Sequence, residues 1–192
     1  MEIKNVLNFV KFEHTDSPKT KFGGQPDWLG DSQWPISPEL KKPMRFIAQI
    51  ALGDVFPEYN GKMAYIFMTE DEEEYIDGTW EPDGGENAVI IQPSGNCLAE
   101  TEALSSGPSR EEFGVEIVKT EVEEDELEGS RIGGAPEFMQ GEEYPEPKED
   151  WIFLAQLDSC SLPFEVNFGD AGIAYVFLNK SATEGKFLWQ CG

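Results

Sequence analysis

The side chains that most often act as nucleophiles or general bases are scarce in this chain. Histidine occurs once, as His14, in a polar stretch. A Ser-His-Asp or Cys-His pair would have to use it, and no G-x-S-x-G element accompanies it. A tetrahedral zinc site would need either His14 together with all three cysteines or the help of carboxylates. The three cysteines lack any CxxC spacing: Cys97, Cys160 and Cys191. We therefore expect no catalytic residue, no metal site and no cofactor.

Carboxylates are numerous, and they are unevenly placed. The 192 residues carry a formal net charge of −24. Residues 1–69 contain 8 basic and 8 acidic side chains, residues 70–150 contain 4 and 26, and residues 151–192 contain 2 and 4. A potential of this sign attracts basic proteins and repels nucleic acids and anionic membranes. We expect a basic protein partner, no direct nucleic-acid contact and no membrane contact; acidity that serves only solubility is the alternative.

No spacing singles out two of these carboxylates as a general acid and its base. The acidic run from Asp71 to Gly78 also misses the alternating register of a calcium-binding loop. An enzyme that uses carboxylates, with or without a divalent ion, therefore stays a third hypothesis without assigned residues.

Two glycine pairs, Gly23-Gly24 and Gly133-Gly134, could cradle an anion with backbone N–H groups. Neither pair is followed by the Lys-Ser/Thr of a phosphate-binding loop, and neither belongs to a G-x-G-x-x-G element. We predict that both pairs form structural turns.

The glycine pairs belong to three matched blocks that occur twice in the same order. The first copy reads KFGGQPDWLGDSQWP, PMRFIAQI and MAYIFM, and the second reads RIGGAPEFMQGEEYP, WIFLAQL and IAYVFL. We interpret this as an internal duplication. The matched motif positions are Gly23, Gly24, Pro26 and Trp28 in the first copy and Gly133, Gly134, Pro136 and Phe138 in the second.

Four side chains of the repeated blocks are candidates for binding. Gln49 and Gln156 lie at matched positions on apolar strands, where a buried amide needs hydrogen-bond partners. Each amide either holds the neighbouring glycine loop or lines a groove and pairs with a bound peptide backbone. Trp34 and Tyr144 each directly precede a proline in a polar loop. We expect both side chains to be partly exposed at the same groove.

The remaining pattern is dominated by short apolar runs of strand length. We predict strands at 44–50, 62–69, 87–92, 113–122, 151–157, 171–178 and 186–191, and a short helix over 98–104. In 113–122 the apolar residues change phase at Val118, which predicts a bulge or a twist near that residue. The expected fold class is α+β, mostly antiparallel β, with two half-repeats related by a pseudo-two-fold and sharing one core.

The chain is expected to form one domain, residues 1–192. The repeats would span about 21–69 and 130–192, and an acidic segment of about 70–129 would lie between them. Within it, residues 121–128 are expected to be mobile or to form an acidic edge. No basic head precedes a long apolar stretch in MEIKNVLNFVKF, so we expect no signal peptide and a cytoplasmic protein with reduced thiols.

The two glycine blocks, with PMRFIAQI, FLAQL and GDAGIAYVF, resemble the bacterial YwqG-like family, whose function is unknown. The resemblance covers most of the chain from Lys21 to Gly192. The GG-x-P-x-W-L and P-M-x-F-x-x-Q pattern is also similar to the programmed-cell-death-2 family, although the loop 31–42 lacks that family's zinc-binding cysteines. The second resemblance implies a chaperone-like role that binds a basic client protein.

Taken together, these patterns favour a non-enzymatic cytoplasmic module that binds a basic protein. The second hypothesis is an immunity or inhibitor protein whose acidic segment occupies the nucleic-acid site of a nuclease. The sequence leaves the oligomeric state open.

Overall fold

The computed structural model describes residues 2–122 and 129–192, and their regular structure is almost entirely β-strand. The twelve strands are β1 (Glu2–Lys11), β2 (Lys21–Phe22), β3 (Trp34–Pro35), β4 (Arg45–Ala51), β5 (Met63–Met68), β6 (Asn87–Gln92), β7 (Thr101–Glu102), β8 (Phe113–Val122), β9 (Arg131–Ile132), β10 (Trp151–Asp158), β11 (Ile173–Asn179) and β12 (Gly185–Gln190). Three short 3-10 helices lie at Leu52–Asp54, Pro57–Tyr59 and Lys148–Asp150.

The predicted α+β class is wrong, because the described residues contain no α-helix and form an all-β closed barrel. The helix predicted over 98–104 is absent. The backbone of this segment instead forms hydrogen bonds with another part of the chain. Thr101–Glu102 pairs with β3, and Glu100 O accepts a hydrogen bond from Ile36 N at 2.9 Å. A neighbouring strand thus satisfies polar groups that a helix would have satisfied internally.

Ten strands close the barrel in the order β1-β8-β2-β4-β5-β6-β12-β11-β10-β9, and β9 pairs back with β1. We call β2, β4, β5 and β6 the first half and β9, β10, β11 and β12 the second half. The order reads the same from either half, because β8 leads into the first half and β1 leads into the second. The strand that precedes each half in the chain therefore pairs with the other half.

The strands of both halves are buried on both faces. In β5, Ala64 and Ile66 join the cluster that fills the barrel, whereas Tyr65 and Phe67 join a cluster outside it. Because successive strand side chains point to opposite faces, such strands are apolar at nearly every position. Loops cover the outer faces, with Trp28 and Trp34 on the first half and Phe138 and Tyr144 on the second.

The two halves meet at a second seam, between β6 and β12, where pairing is sparse. β6 pairs with β5 at six positions, but it pairs with β12 only where Val89 faces Gly185. A Cβ on Gly185 would lie 2.3 Å from Cγ1 of Val89, so the strands touch at this point. Beyond it they diverge, and Trp189 N donates to Trp80 O of an intervening loop at 3.2 Å.

Of the two alternatives predicted near Val118, a bulge or a twist, the bulge is wrong. β1 and β8 pair without a register shift from Glu2↔Val122 to Lys11↔Phe113. Shifts occur instead at matched places in β4 and β10, between Phe46 and Ala48 and between Phe153 and Ala155. Of the predicted acidic edge 121–128, residues 123–128 lie outside the described residues. Within the described part of the chain, no helix is long and apolar enough to cross a membrane.

Candidate functional site

The glycine-pair loop of the first half is held by polar side chains from the strands behind it. The amide of Gln49 accepts a hydrogen bond from Asp27 N and donates one to Lys19 O, both at 2.8 Å. The hydroxyl of Tyr65 accepts from Leu29 N at 2.9 Å and donates to Asp27 O at 2.8 Å. Burial raises the pKa of Tyr65 to about 12, which keeps the donating proton in place.

The loop of the second half is held in the same way. Gln156 accepts from Glu137 N at 3.3 Å, and Tyr175 accepts from Met139 N at 3.1 Å and donates to Glu137 O at 2.8 Å. Burial raises the pKa of Tyr175 to about 12 as well. The repeated glutamine and tyrosine positions therefore serve to fix the two loops.

A third pair of side chains, two further amides that the repeated blocks do not reveal, completes the support of each loop. Gln92 accepts from Gly30 N at 3.0 Å, and Gln190 accepts from Gln140 N at 3.0 Å. Each glutamine ends the last strand of its half, at β6 and β12. Their separation of 98 residues departs from the 110 that relates the loops, so a fixed-period comparison does not align them. A search for a glutamine that ends the last apolar run of each copy would have found both.

A buried cation anchors the first loop. Lys21 is 2% exposed, and its Nζ lies 2.9 Å from Asp27 Oδ2 and 2.7 Å from Glu112 Oε1. A buried charge is tolerated only with close partners of opposite sign, and Lys21 has two of them.

The second loop has a cluster of inverted charge. Glu137 accepts from Arg131 Nη2 at 2.5 Å and from Lys4. Lys4 lies one residue before the part of β1 that pairs with β9, and Glu112 lies one residue before the part of β8 that pairs with β2. The two side chains therefore have equivalent positions in the two halves. One cation between two carboxylates is thus replaced by one carboxylate between two cations.

The Glu137 cluster predicts a pH dependence of stability. Burial alone would raise the pKa of Glu137, but hydrogen bonds from Lys4 and Arg131 outweigh it and hold the pKa below its ordinary value. The stabilisation is therefore present above the ordinary glutamate pKa of about 4.3 and is lost as the pH falls through the lower, folded-state value. We expect Glu137→Gln to lower the free energy of unfolding by about 1 kcal/mol at pH 7 and by less near pH 3. Urea unfolding at both pH values measures this.

The matched control is Glu142→Gln, because Glu142 also pairs with a cation, Lys148, but both side chains are more than half exposed. Exposed pairs contribute little, so this change should leave the free energy of unfolding unaltered. Equal effects of the two substitutions, or an effect of Glu137→Gln that grows in acid, would contradict the assignment.

The structure buries three of the four candidate groove residues, and the expected partial exposure of Trp34 is wrong. Trp34, Gln49 and Gln156 have no exposed surface, and Trp34 Nε1 donates to Met44 O at 2.7 Å. Tyr144 is half-buried, with its ring 5.3 Å from Phe138. Trp34, Gln49 and Gln156 would need a rearrangement of their loops to reach a ligand.

A groove between the two halves does exist, and it lies along the β6–β12 seam. It consists of two adjoining depressions of about 310 Å³ and about 520 Å³ that share Leu98 and Lys186. We call their union the seam groove. The first depression runs along the outer side of β6, and the second lies where β10 begins and β11 ends. The sparse pairing of β6 and β12 opens the first depression.

The first depression has a mostly apolar floor, the second is lined mostly by polar and charged side chains, and both have carboxylates in their lining. Leu98 stands between the depressions with 69% of its surface exposed. The apolar lining comes from Ile36, Pro38, Ala88, Ile90, Pro147 and Trp151. The lining contains two lysines, Lys180 and Lys186, and a larger number of carboxylates. These carboxylates are Asp83, Glu100, Glu146, Asp150 and Glu184.

One of these lysines is already engaged. Lys186 Nζ lies 2.6 Å from Asp83 Oδ1 and 5.0 Å from the ring centre of Trp151, and its side chain is nearly buried. Its charge is therefore largely neutralised inside the protein. Three carboxylates, Glu146, Asp150 and Glu184, then outweigh the single remaining cation of the second depression, Lys180.

The cysteines do not form disulfides with one another. Cys97 lines the first depression, and burial raises the pKa of its thiol, which makes it less reactive. In the part of the chain that the structure describes, no group of three or more His, Cys, Asp or Glu side chains is placed to hold a metal ion.

Fold and site together define an all-β closed barrel made of two matched halves, with a groove where the halves diverge that is apolar in its first depression and acidic in its second. Residues 20–79 and 59–187 match the family described as Domain of unknown function (DUF1963), and the chain belongs to that family. No curated protein matches the chain.

Proposed function

We propose that this protein is a non-enzymatic, cytoplasmic protein-binding module that holds a basic segment of a partner protein in the seam groove. The observation that carries the proposal is the groove itself, with an apolar floor and an excess of carboxylates at the junction of the two halves. The bacterial YwqG-like resemblance adds no activity, and the similarity to the programmed-cell-death-2 family supports a client-binding role.

The apolar floor supplies affinity. Burying a side chain the size of leucine contributes roughly 1.5–3 kcal/mol. Leu98 leaves most of its surface in water, so a partner side chain seated beside it would remove apolar area from both molecules. Anchors of this kind in a desolvated pocket usually dominate an interface.

The acidic rim supplies the choice of partner. Glu146, Asp150 and Glu184 face the second depression, and Lys180 is the cation there without a described ion pair. Lysines or arginines on the partner would be drawn in by this potential, and acidic proteins would be repelled. Because Glu146 and Asp150 are exposed, salt should screen the attraction over a Debye length of about 8 Å at physiological ionic strength.

Photo-crosslinking identifies the partner without assuming it. A photoreactive amino acid is placed at Leu98 in the groove or, as a control, at Tyr75, which is 60% exposed and lies outside both depressions. A basic protein captured from the source cell at position 98 but not at position 75 supports the proposal. Capture of the same proteins at both positions contradicts it. A captured nuclease would assign the module as an inhibitor of that enzyme.

The captured protein then serves for a quantitative test. The triple variant Glu146→Gln, Asp150→Asn, Glu184→Gln should bind the purified partner at least about tenfold more weakly at low salt, mainly through slower association. The matched control, Glu72→Gln, Glu74→Gln, Asp77→Asn, makes the same change in net charge at exposed residues outside both depressions and outside β8. Unchanged affinity in the first variant, or an equal loss in the control, would overturn the proposal. Calorimetric titration at two salt concentrations measures both.

A further inference from the structure

The β1–β8 ribbon leaves one long strand edge open. β8 pairs with β1 over all ten of its residues. On its other side only Phe113 and Gly114 pair, with β2. Within the described residues, no strand pairs with Val115–Val122 on the side away from β1. We call this side of Val115–Val122 the β8 edge. An open edge offers a row of backbone donors and acceptors to another extended chain.

The side chains of the β8 edge are unusually apolar for exposed positions. Seven large apolar residues are exposed among those described, and three belong to the ribbon: Ile3 at 72%, Ile117 at 38% and Val118 at 43%. Because the register is regular, Ile117 and Val118 lie on opposite faces. A strand added at this edge would meet an apolar side chain on each face.

The charge of the β8 edge indicates what kind of strand fits. Glu116 and Glu121 are exposed on either side of the apolar pair, and Lys119 is the cation between them. A second copy of the chain would bring a further charge of −24 to the contact. Two such molecules repel each other, whereas a basic segment is attracted.

We propose that the β8 edge is an interaction surface that takes an extended, basic segment of a partner protein by strand addition. Main-chain hydrogen bonds along Val115–Val122 would hold the segment, and its alternate side chains would contact Ile117 on one face and Val118 on the other. This surface lies across the barrel from the seam groove, because β1 and β8 stand opposite β6 and β12 in the strand order. The inference does not depend on what the groove binds.

The experiment uses the full chain carrying Glu146→Gln, Asp150→Asn and Glu184→Gln, so that binding at the seam groove is weakened. The probe is a twelve-residue peptide that alternates lysine and valine. Its matched control has the same sequence with four successive central amides N-methylated, which removes donors from both edges of the peptide but keeps its charge. Affinity and backbone hydrogen exchange are measured at low salt.

We expect alternate amides within Val115–Val122 to exchange at least tenfold more slowly with saturating peptide, and the N-methylated peptide to bind at least tenfold more weakly. Val118→Lys should weaken binding of the parent peptide severalfold, and Tyr75→Lys should not. Equal binding of both peptides, or unchanged exchange in β8, would overturn the inference. Protection of β8 by self-association without peptide, seen by sedimentation, would overturn it too, since the occupant would then be a second copy.

Discussion

Replacing Gly23 with alanine is expected to lower the free energy of unfolding by about 3 kcal/mol or more, whereas the same change at Gly133 lowers it by about 1–2 kcal/mol. Both glycines open the same motif and have nearly equal positive φ angles, 65° and 68°. A left-handed conformation therefore penalises alanine equally at both. They differ in space, because a Cβ at Gly23 lies 2.0 Å from Glu111 O, while at Gly133 the nearest atom is Val55 Cγ1 at 3.1 Å.

The difference between the losses in free energy of unfolding at Gly23 and Gly133 measures the effect of the backbone contact, because the strain from the positive φ angle is the same at both. The clash at Gly23 is with a main-chain oxygen, which can move only if the segment before β8 moves with it. The contact at Gly133 is with a methyl group, which can shift by a rotamer change. Urea unfolding of both variants measures the difference. Equal losses would show that the segment before β8 is not packed on the first loop as described.

The second large effect is expected for Gln49→Leu, which should cost about 3 kcal/mol. Leucine has nearly the same size but neither accepts from Asp27 N nor donates to Lys19 O. Each buried polar group left without a partner costs about 1–3 kcal/mol. Gln49 has no exposed surface, so water does not replace the lost hydrogen bonds without opening the loop.

The chain offers a matched control in Gln25→Leu. Gln25 also makes two hydrogen bonds to backbone, both with Gly107, at 2.9 Å and 3.0 Å. It is exposed, so water can take over both partners, and the expected loss is below about 1 kcal/mol. Thermal or urea unfolding of the two variants gives the comparison. A loss at Gln49 no greater than at Gln25 would show that the Gln49 amide does not hold the first loop.

The parts of the fold that follow from local pattern were predictable. Residues such as Phe113–Val122 and Asn87–Gln92 combine β-branched or aromatic side chains with flanking turns, and their strands have the predicted bounds. The closed barrel was not predictable, because closure depends on which strands pair. That choice rests on two-residue strands such as Lys21–Phe22, which carry no periodic signal.

The helix prediction failed for a related reason. The stretch around Thr101 has no strong strand pattern of its own, and its pairing with Trp34–Pro35 is a tertiary contact. The propensity of a few residues is a weak guide when a neighbouring strand is available.

The candidate site shows the same limit. The repetition of residues such as Gln49 and Gln156 indicates that the fold requires these residue types. It does not indicate whether the side chains are buried or exposed. The seam groove arises where the repeat is broken, at Gly185 and in the segment around Leu98, which has no counterpart in the matched blocks. The seam groove occurs only once among the described residues, so the residues that differ between the two copies were a better guide to it than the residues that match.

The most direct test of the seam groove is the indole N–H resonance of Trp151 in a titration of the ¹⁵N-labelled protein with its basic partner. Trp151 lines the second depression, and its Nε1 is buried without a hydrogen-bond acceptor among the described residues. Trp34 provides an internal control, since its Nε1 is buried and bonded to Met44 O. Binding in the groove predicts a saturable shift of the Trp151 signal, lost at high salt, with the Trp34 signal unchanged. If the labelled protein is saturated with the partner and the Trp151 signal does not shift, the result would contradict binding in the seam groove.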